Sequence, residues 1–190
     1  IEIHVTTQTP YMDRDEIANV MQLRPEAVRI VPTACGGGFG GKLDLSVQPL
    51  VAVAAWQLRR PVACVDTRPE SMAATTKRHP ARVTAKFGCD AEGKLVACDV
   101  SATFDTGAYA SWGPTVANRV PVHAMGPYAM PHVRTWGEAF FTNGPPAGAF
   151  RGFGVPQAAI AHEAMMDDLA DQLGIDRLEF RHRNVLRVGD

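Results

Sequence analysis

The residues best suited to chemistry are Gly36-Gly37-Gly38-Phe39-Gly40-Gly41-Lys42, where five glycines flank one aromatic side chain. Glycine gives up much conformational entropy on folding, so such a run serves close backbone approach to a ligand or a sharp turn. Three readings are open. Gly36, Gly41 and Lys42 satisfy the G-x-x-x-x-G-K spacing of a phosphate loop, whose amides bind an anion at the following helix, but the next residue is Leu43 in place of the magnesium-binding Ser or Thr. Gly36, Gly38 and Gly41 satisfy G-x-G-x-x-G, but no acidic residue closes a strand about 20 positions on, as dinucleotide binding requires. The third reading is a purely structural turn.

Other reactive side chains are dispersed. The six histidines (His4, His79, His123, His132, His162 and His182) lack ligand spacing and read as structural or surface groups. Cys35, Cys64, Cys89 and Cys98 form no C-x-x-C pair, so they read as reduced structural thiols packing as small hydrophobes, and no metal or iron–sulfur site is assigned. Glu138 and Glu163 have apolar or aromatic neighbours but match no catalytic motif, so no catalytic residue is assigned.

These groups are carried by alternating local patterns. Ile1 to Thr7 alternates as a half-buried strand, and Asp13 with Glu16 reads as a capping box before Ile17, Val20 and Met21 at helical spacing. Val28 to Val31 reads as a short strand entering the glycine loop. Val47 to Leu58 is apolar nearly all round, which predicts a buried helix with Pro49 in its first turn. Pro61 to Asp66 reads as β, and Arg82 to Phe87 and Lys94 to Phe104 flank the turn Asp90-Ala91-Glu92-Gly93 as a hairpin. Gly107 to Gly148 shows no clear period and reads as irregular or short strands. After Phe150-Arg151-Gly152-Phe153-Gly154 a helix is expected with Ala161, Met165, Leu169 and Leu173 inward, ended by Gly174, and Asp176 with Glu179 starts one more. The expected fold class is α+β (mixed α/β), in one compact domain over residues 1–190.

Hydrophobic residues at 46% and charged residues at 21% suit a globular chain, and 19 Lys plus Arg against 20 Asp plus Glu leave no basic excess for nucleic acid. No apolar run approaches the roughly 20 residues of a membrane helix, and no signal-peptide pattern opens the chain, so a cytoplasmic protein without a membrane partner is expected.

Thr7-Gln8, the GGGFGGK run, Thr67-Arg68-Pro69-Glu70-Ser71, Thr106-Gly107-Ala108-Tyr109, Gly126-Pro127-Tyr128, Thr142-Asn143 and Arg151-Gly152 occur in one order. So do EAMMDDLADQLG, from Glu163 to Gly174, and Glu179-Phe180-Arg181-His182-Arg183-Asn184. In order and spacing the chain resembles the molybdenum-cofactor-binding large subunit of the xanthine dehydrogenase / aldehyde oxidase family, in the first part of its molybdopterin-binding region.

The resemblance implies a molybdenum–molybdopterin cofactor, with or without a cytosine dinucleotide extension, held through hydrogen bonds without direct protein ligation of the metal. Gln8 is expected to place its amide beside the metal's oxo group. Gly37, Gly38, Phe39 and Gly40 bring backbone to the cofactor, and Arg151 and Gly152 of the A-F-R-G motif lie close to it. Arg78, Phe153 and Leu43 are the implied substrate-side residues. Leu43 stands where purine-oxidising members carry glutamate, which argues against xanthine, and Gly152 stands where carbon-monoxide-oxidising members carry a copper-bridging cysteine.

The implied reaction is oxidation of an aldehyde or N-heteroaromatic compound with water-derived oxygen, the general base lying beyond this segment, so that the segment alone is inactive. FAD and 2Fe-2S clusters would sit on other domains or subunits, because four unclustered cysteines cannot hold them. The implied partners are the rest of the molybdenum subunit, the iron–sulfur and flavin parts, and a small-molecule substrate, in an oligomer. Two alternatives stay open: an assembly domain that binds cofactor only with its partner subunits, and a phosphate-loop protein.

Overall fold

The computed structural model describes residues 1–189; Asp190, the last residue of the expected domain, lies outside the described residues. The chain divides into two compact units, residues 1–78 with 148–151, and residues 79–147 with 152 onward.

The first unit starts with β1 (Glu2–Val5), α1 (Pro10–Met21) and β2 (Arg29–Pro32), and β1 pairs parallel to β2 with Ile3 opposite Ile30. Parallel pairing requires a crossover, and α1 supplies it. Ile17 and Ala18 of α1 meet Ile3, Val28 and Ala52 in one core cluster. The expected cap at Asp13 is corrected: α1 begins at Pro10, whose fixed φ suits a first helical position, and Asp13 sits inside the first turn, 1% exposed. The capping box forms instead at Thr67 and Glu70, at the start of α3 (Arg68–Ala74). Residues 61–66 form no strand.

The helix α2 (Gln48–Leu58) forms as expected, but of its residues only Gln48 and Ala52 are buried. Leu50, Val53, Trp56 and Leu58 are exposed, so the all-round apolar pattern is matched by packing on one side only. The Gln48 Nε2 donates to Asp13 Oδ2 at 3.4 Å, while Asp13 Oδ1 is buried without a hydrogen-bond partner among the described residues. Burial pushes the Asp13 carboxyl pKa up, against weaker opposing hydrogen bonds from Thr7, Gln48 and Thr9. A raised folded-state pKa gives a contribution to stability that is complete at low pH and is lost as pH rises through it. Asp13→Asn is therefore expected to stabilise the protein more at pH 8 than at pH 4; equal shifts in thermal unfolding at both pH values would contradict this.

The second unit holds β3 (Ala81–Cys89), β4 (Leu95–Gly107), α4 (Gly113–Ala117), α5 (Arg119–His123), β5 (His132–Phe141), α6 (Val155–Leu173) and α7 (Arg177–Asn184). The expected hairpin forms: β3 and β4 pair antiparallel, and Gly93 in the turn has φ +77°. A ten-residue strand, β5, pairs parallel to β4 inside the stretch expected to be irregular. Val100, Ala102 and Phe104 of β4 pack with Val116, Ala117 and Val120.

The buried stripe of α6 is Ala158, His162, Met166 and Ala170, one position round from the expected face. Alanines at both ends let the helix approach its neighbours closely, and Met165 and Leu169 pack at the margin. His162 is accommodated by hydrogen bonds with the backbone of His123 and Ala124, and its burial pushes its pKa down. Phe180 of α7 is fully buried, and Asp176 caps α7 by accepting from the Leu178 and Glu179 amides at 3.0 Å each. Helices and strands together make the expected α+β class.

Candidate functional site

The glycine loop leaves β2 and does not run into a helix, since α2 starts only at Gln48. A phosphate loop depends on amides converging at a helix start, and the amides of Gly40, Gly41 and Lys42 are already used. Gly40 N–H donates to Gln8 Oε1 at 2.9 Å, and Lys42 N–H donates to the same oxygen at 3.3 Å. The Gln8 backbone amide returns a bond to the Lys42 carbonyl at 3.1 Å. The strand–loop–helix geometry of the phosphate-loop reading is thus not formed.

Two loop amides hold the Gln8 carboxamide by its oxygen, so the Nε2 donors are turned away from them, and the side chain is exposed. Among the described residues Nε2 has no hydrogen-bond partner. An amide so oriented presents donors to whatever lies over the loop.

Phe39 has φ +52° and Gly40 φ +91°. The left-handed region costs a side-chain-bearing residue about 1 kcal/mol or more, so it persists only where neighbours hold it. Here the Phe39 carbonyl accepts from Arg151 N–H at 2.8 Å. A Cβ on Gly40 would come within 2.9 to 3.0 Å of the Ala149 and Phe150 backbone. The segment 148–151 therefore lies directly on the loop.

The same segment is bound from the other side. Gly148 N–H donates to the Lys77 carbonyl at 2.9 Å, and Arg78 Nη2 donates to the Arg151 carbonyl at 2.6 Å. The Arg78 guanidinium stands 4.5 Å from the centre of the Phe150 ring, and that of Arg151 stands 6.0 Å from the Phe39 ring. Partial burial lowers the Arg78 pKa, but a guanidinium stays protonated. Among the described residues neither arginine has an ion-pair partner.

Of the residues singled out by sequence, Gln8, Gly37, Gly38, Phe39, Gly40, Arg78 and Arg151 come together in the first unit. Leu43 lies on the return of the loop, its N–H donating to the Gly40 carbonyl at 3.2 Å, and it is half-buried. Gly152 and Phe153 belong to the second unit. There Gly152 has φ +91°, and a Cβ on it would meet Pro156 at 2.5 Å. Phe153, at φ +53°, sets its ring edge-on to Trp112 with centroids 5.7 Å apart. Both Gly-Phe-Gly elements thus place phenylalanine in the same sparsely populated conformation, followed by a glycine at positive φ.

Two neighbours escaped the sequence reading. Trp112 packs on Phe153, and Arg119 is close enough that a Cβ on Gly154 would meet its Cβ at 2.9 Å. Neither lies in a motif that local pattern identifies. The expectation that all four cysteines pack as small hydrophobes is corrected: Cys98 is buried, but Cys35 and Cys64 are exposed. The Cys35 thiol pKa is lowered, first by a hydrogen bond from the Gly37 backbone and then by Lys42, whose Nζ lies 3.5 Å from the sulfur.

Residues 1–185 match the family model described as molybdopterin cofactor-binding domain. The chain belongs to that family. It is 47% identical over 189 residues to the nicotinate dehydrogenase large molybdopterin subunit of Eubacterium barkeri, a match spanning 100% of this chain and 44% of that one. Among solved structures it superposes with TM-score 0.93 on the aldehyde oxidoreductase from Desulfovibrio gigas, at 34% identity, covering 100% of this chain and 21% of the other. The quinoline 2-oxidoreductase from Pseudomonas putida 86 gives TM-score 0.92 at 30% identity, with coverage of 100% and 25%. The resemblance to molybdenum hydroxylase large subunits and the α+β fold are borne out. The chain spans less than half the length of these relatives.

Among the described residues no cluster of three or more His, Cys, Asp and Glu side chains is placed to hold a metal ion. The cradle does fit a metal held inside an organic cofactor: it offers backbone groups, an amide donor and two unpaired cations, and Gly38 keeps it open. A Cβ there would lie 2.4 Å from Gln8 Oε1. Among the described residues no helix is long and apolar enough to cross a membrane.

Proposed function

We propose that this chain forms one wall of the molybdenum–pterin site in an oxidoreductase that hydroxylates an aldehyde or N-heteroaromatic compound with oxygen from water. The observation that carries this reading is the cradle of Gln8, residues 37–40 and Arg151: a fixed amide donor and a cation without a carboxylate partner among the described residues, grouped around glycine backbone. Such a set suits an electron-rich, anionic cofactor. Gln8 would donate to an acceptor ligand of the metal. Gly37, Gly38, Phe39 and Gly40 would admit the cofactor to backbone distance, and Arg151 would border it.

When bound, the cofactor supplies two-electron oxidation coupled to oxygen transfer. This chain's residues bind it, orient it and hold positive charge beside it, while proton removal falls to a residue outside this segment. Leu43, on the return of the loop, is the aliphatic contribution to the substrate side. The relative named for nicotinate and the solved neighbour named for quinoline both support the N-heteroaromatic half of this reading.

The short span against the relatives supports further polypeptide as a partner; FAD and 2Fe-2S groups on other domains or subunits, and a cytoplasmic oligomer, belong to the same proposal. The exposed Leu50, Val53 and Leu58 give such a partner an apolar face. A cytosine dinucleotide extension of the pterin belongs to the same proposal.

The test is elemental and cofactor analysis of the intact protein that contains this chain. We expect about one molybdenum and one pterin per chain, the loading of a site with a single bound cofactor. Purified active-length protein without molybdenum would sink the proposal.

A further inference from the structure

The resemblance made Arg78 a substrate contact, but its surroundings describe another task. Its Nη2 donates to the backbone carbonyl of Arg151, 73 positions further along the chain, at 2.6 Å. Its guanidinium also lies over the Phe150 ring at 4.5 Å. A planar fork held by a carbonyl and an aromatic face has its orientation set by both.

The contact falls at a decisive place. Arg151 is fixed by its N–H on the Phe39 carbonyl at one end and by its own carbonyl on Arg78 at the other. Phe39 and Gly40 sit in left-handed backbone whose neighbours must hold it, and Gly40 N–H sets the oxygen of Gln8. Arg78 thus closes a chain of contacts from Arg151 through Phe39 and Gly40 to Gln8.

We infer that Arg78 is a positioning residue: it locks the Phe150-Arg151 segment onto the glycine loop, so that Gln8 and Arg151 meet the cofactor in a fixed arrangement. It acts through Arg151 and does not touch substrate. The inference rests on the proposed molybdenum–pterin function. Lys77 supports it, because its carbonyl accepts from Gly148 N–H while its ammonium holds the Ser71 and Thr75 carbonyls at 2.7 and 2.8 Å. The strand of chain carrying Arg78 is therefore itself anchored.

The test compares wild type, Arg78→Met and Arg78→Lys in the intact enzyme, reading molybdenum per chain, kcat, KM and the paramagnetic resonance spectrum after partial reduction. Outer partners of a metal site change affinity or activity by about 10- to 100-fold when removed. Arg78→Met is expected to lower kcat or molybdenum content by about 10-fold or more, with an altered spectrum and a KM within about twofold of wild type. Arg78→Lys keeps a donor but not the fork, so a smaller loss of the same kind is expected, and it serves if the methionine variant does not fold. A KM rise with unchanged kcat, metal content and spectrum would restore substrate contact and overturn the inference. Loss of thermal stability with all four readouts unchanged would overturn it as well. Wild type without molybdenum would defeat the parent function instead, and that result is visible before any variant is made.

Discussion

Gly38→Ala is expected to abolish most cofactor binding while leaving the fold nearly intact. The added Cβ would lie 2.4 Å from both Cδ and Oε1 of Gln8. Both are at the far end of a flexible side chain, so the clash is relieved by swinging the carboxamide away at little cost to the core. That movement breaks the bonds from Gly40 and Lys42 N–H to Oε1 and turns the donor end elsewhere. Loss of an orienting partner at a metal site costs about 10- to 100-fold in affinity or activity. The check is molybdenum content beside thermal unfolding: content should drop while the melting temperature shifts little. Full metal loading in the alanine variant would show that the Gln8 amide has no part in holding the cofactor.

Gly40→Ala should behave differently, because nothing near it can move cheaply. Its φ is +91°, and the new Cβ would lie 2.9 to 3.0 Å from the backbone of Ala149 and Phe150. Alanine in left-handed backbone costs about 1–2 kcal/mol before any clash is counted. Separating the loop from residues 148–151 would also break the bond from Arg151 N–H to the Phe39 carbonyl, worth about 0.5–1.5 kcal/mol net. A loss of about 2–3 kcal/mol in denaturant unfolding is expected together with loss of molybdenum. Retained stability with lost metal would mean that this packing serves the cofactor alone.

What could be read in advance depended on how local the controlling contacts are. The hairpin was legible because its turn, Asp90 to Gly93, carries its own instructions, with Lys94 N–H on Asp90 Oδ1 at 2.7 Å and Gly93 at positive φ. The strand β5 was not, because HVRTWGEAFF lacks clean alternation and its pairing partner in β4 is remote in sequence. Asp13 fits the spacing of a cap, yet Pro10 begins the helix and leaves the carboxyl inside.

The site divides in the same way. Its glycine loop was visible at once, but isolated it supported three functions. The contacts that distinguish them join Gln8 to Gly40 across 32 positions and Arg78 to Arg151 across 73. No periodicity or short spacing reports such pairs, so the motif order gave the members without their roles. For Arg78 the implied role and the observed neighbours differ.

The orientation of the Gln8 carboxamide has a consequence for selectivity. With its oxygen committed to two backbone amides, the side chain can reward only a group that has a lone pair to offer. A ligand atom with none, such as an ammonium nitrogen, would face N–H against hydrogen and be turned away. Through one immobilised amide, the protein thereby selects an acceptor for the position above it, at any pH, because a carboxamide does not titrate.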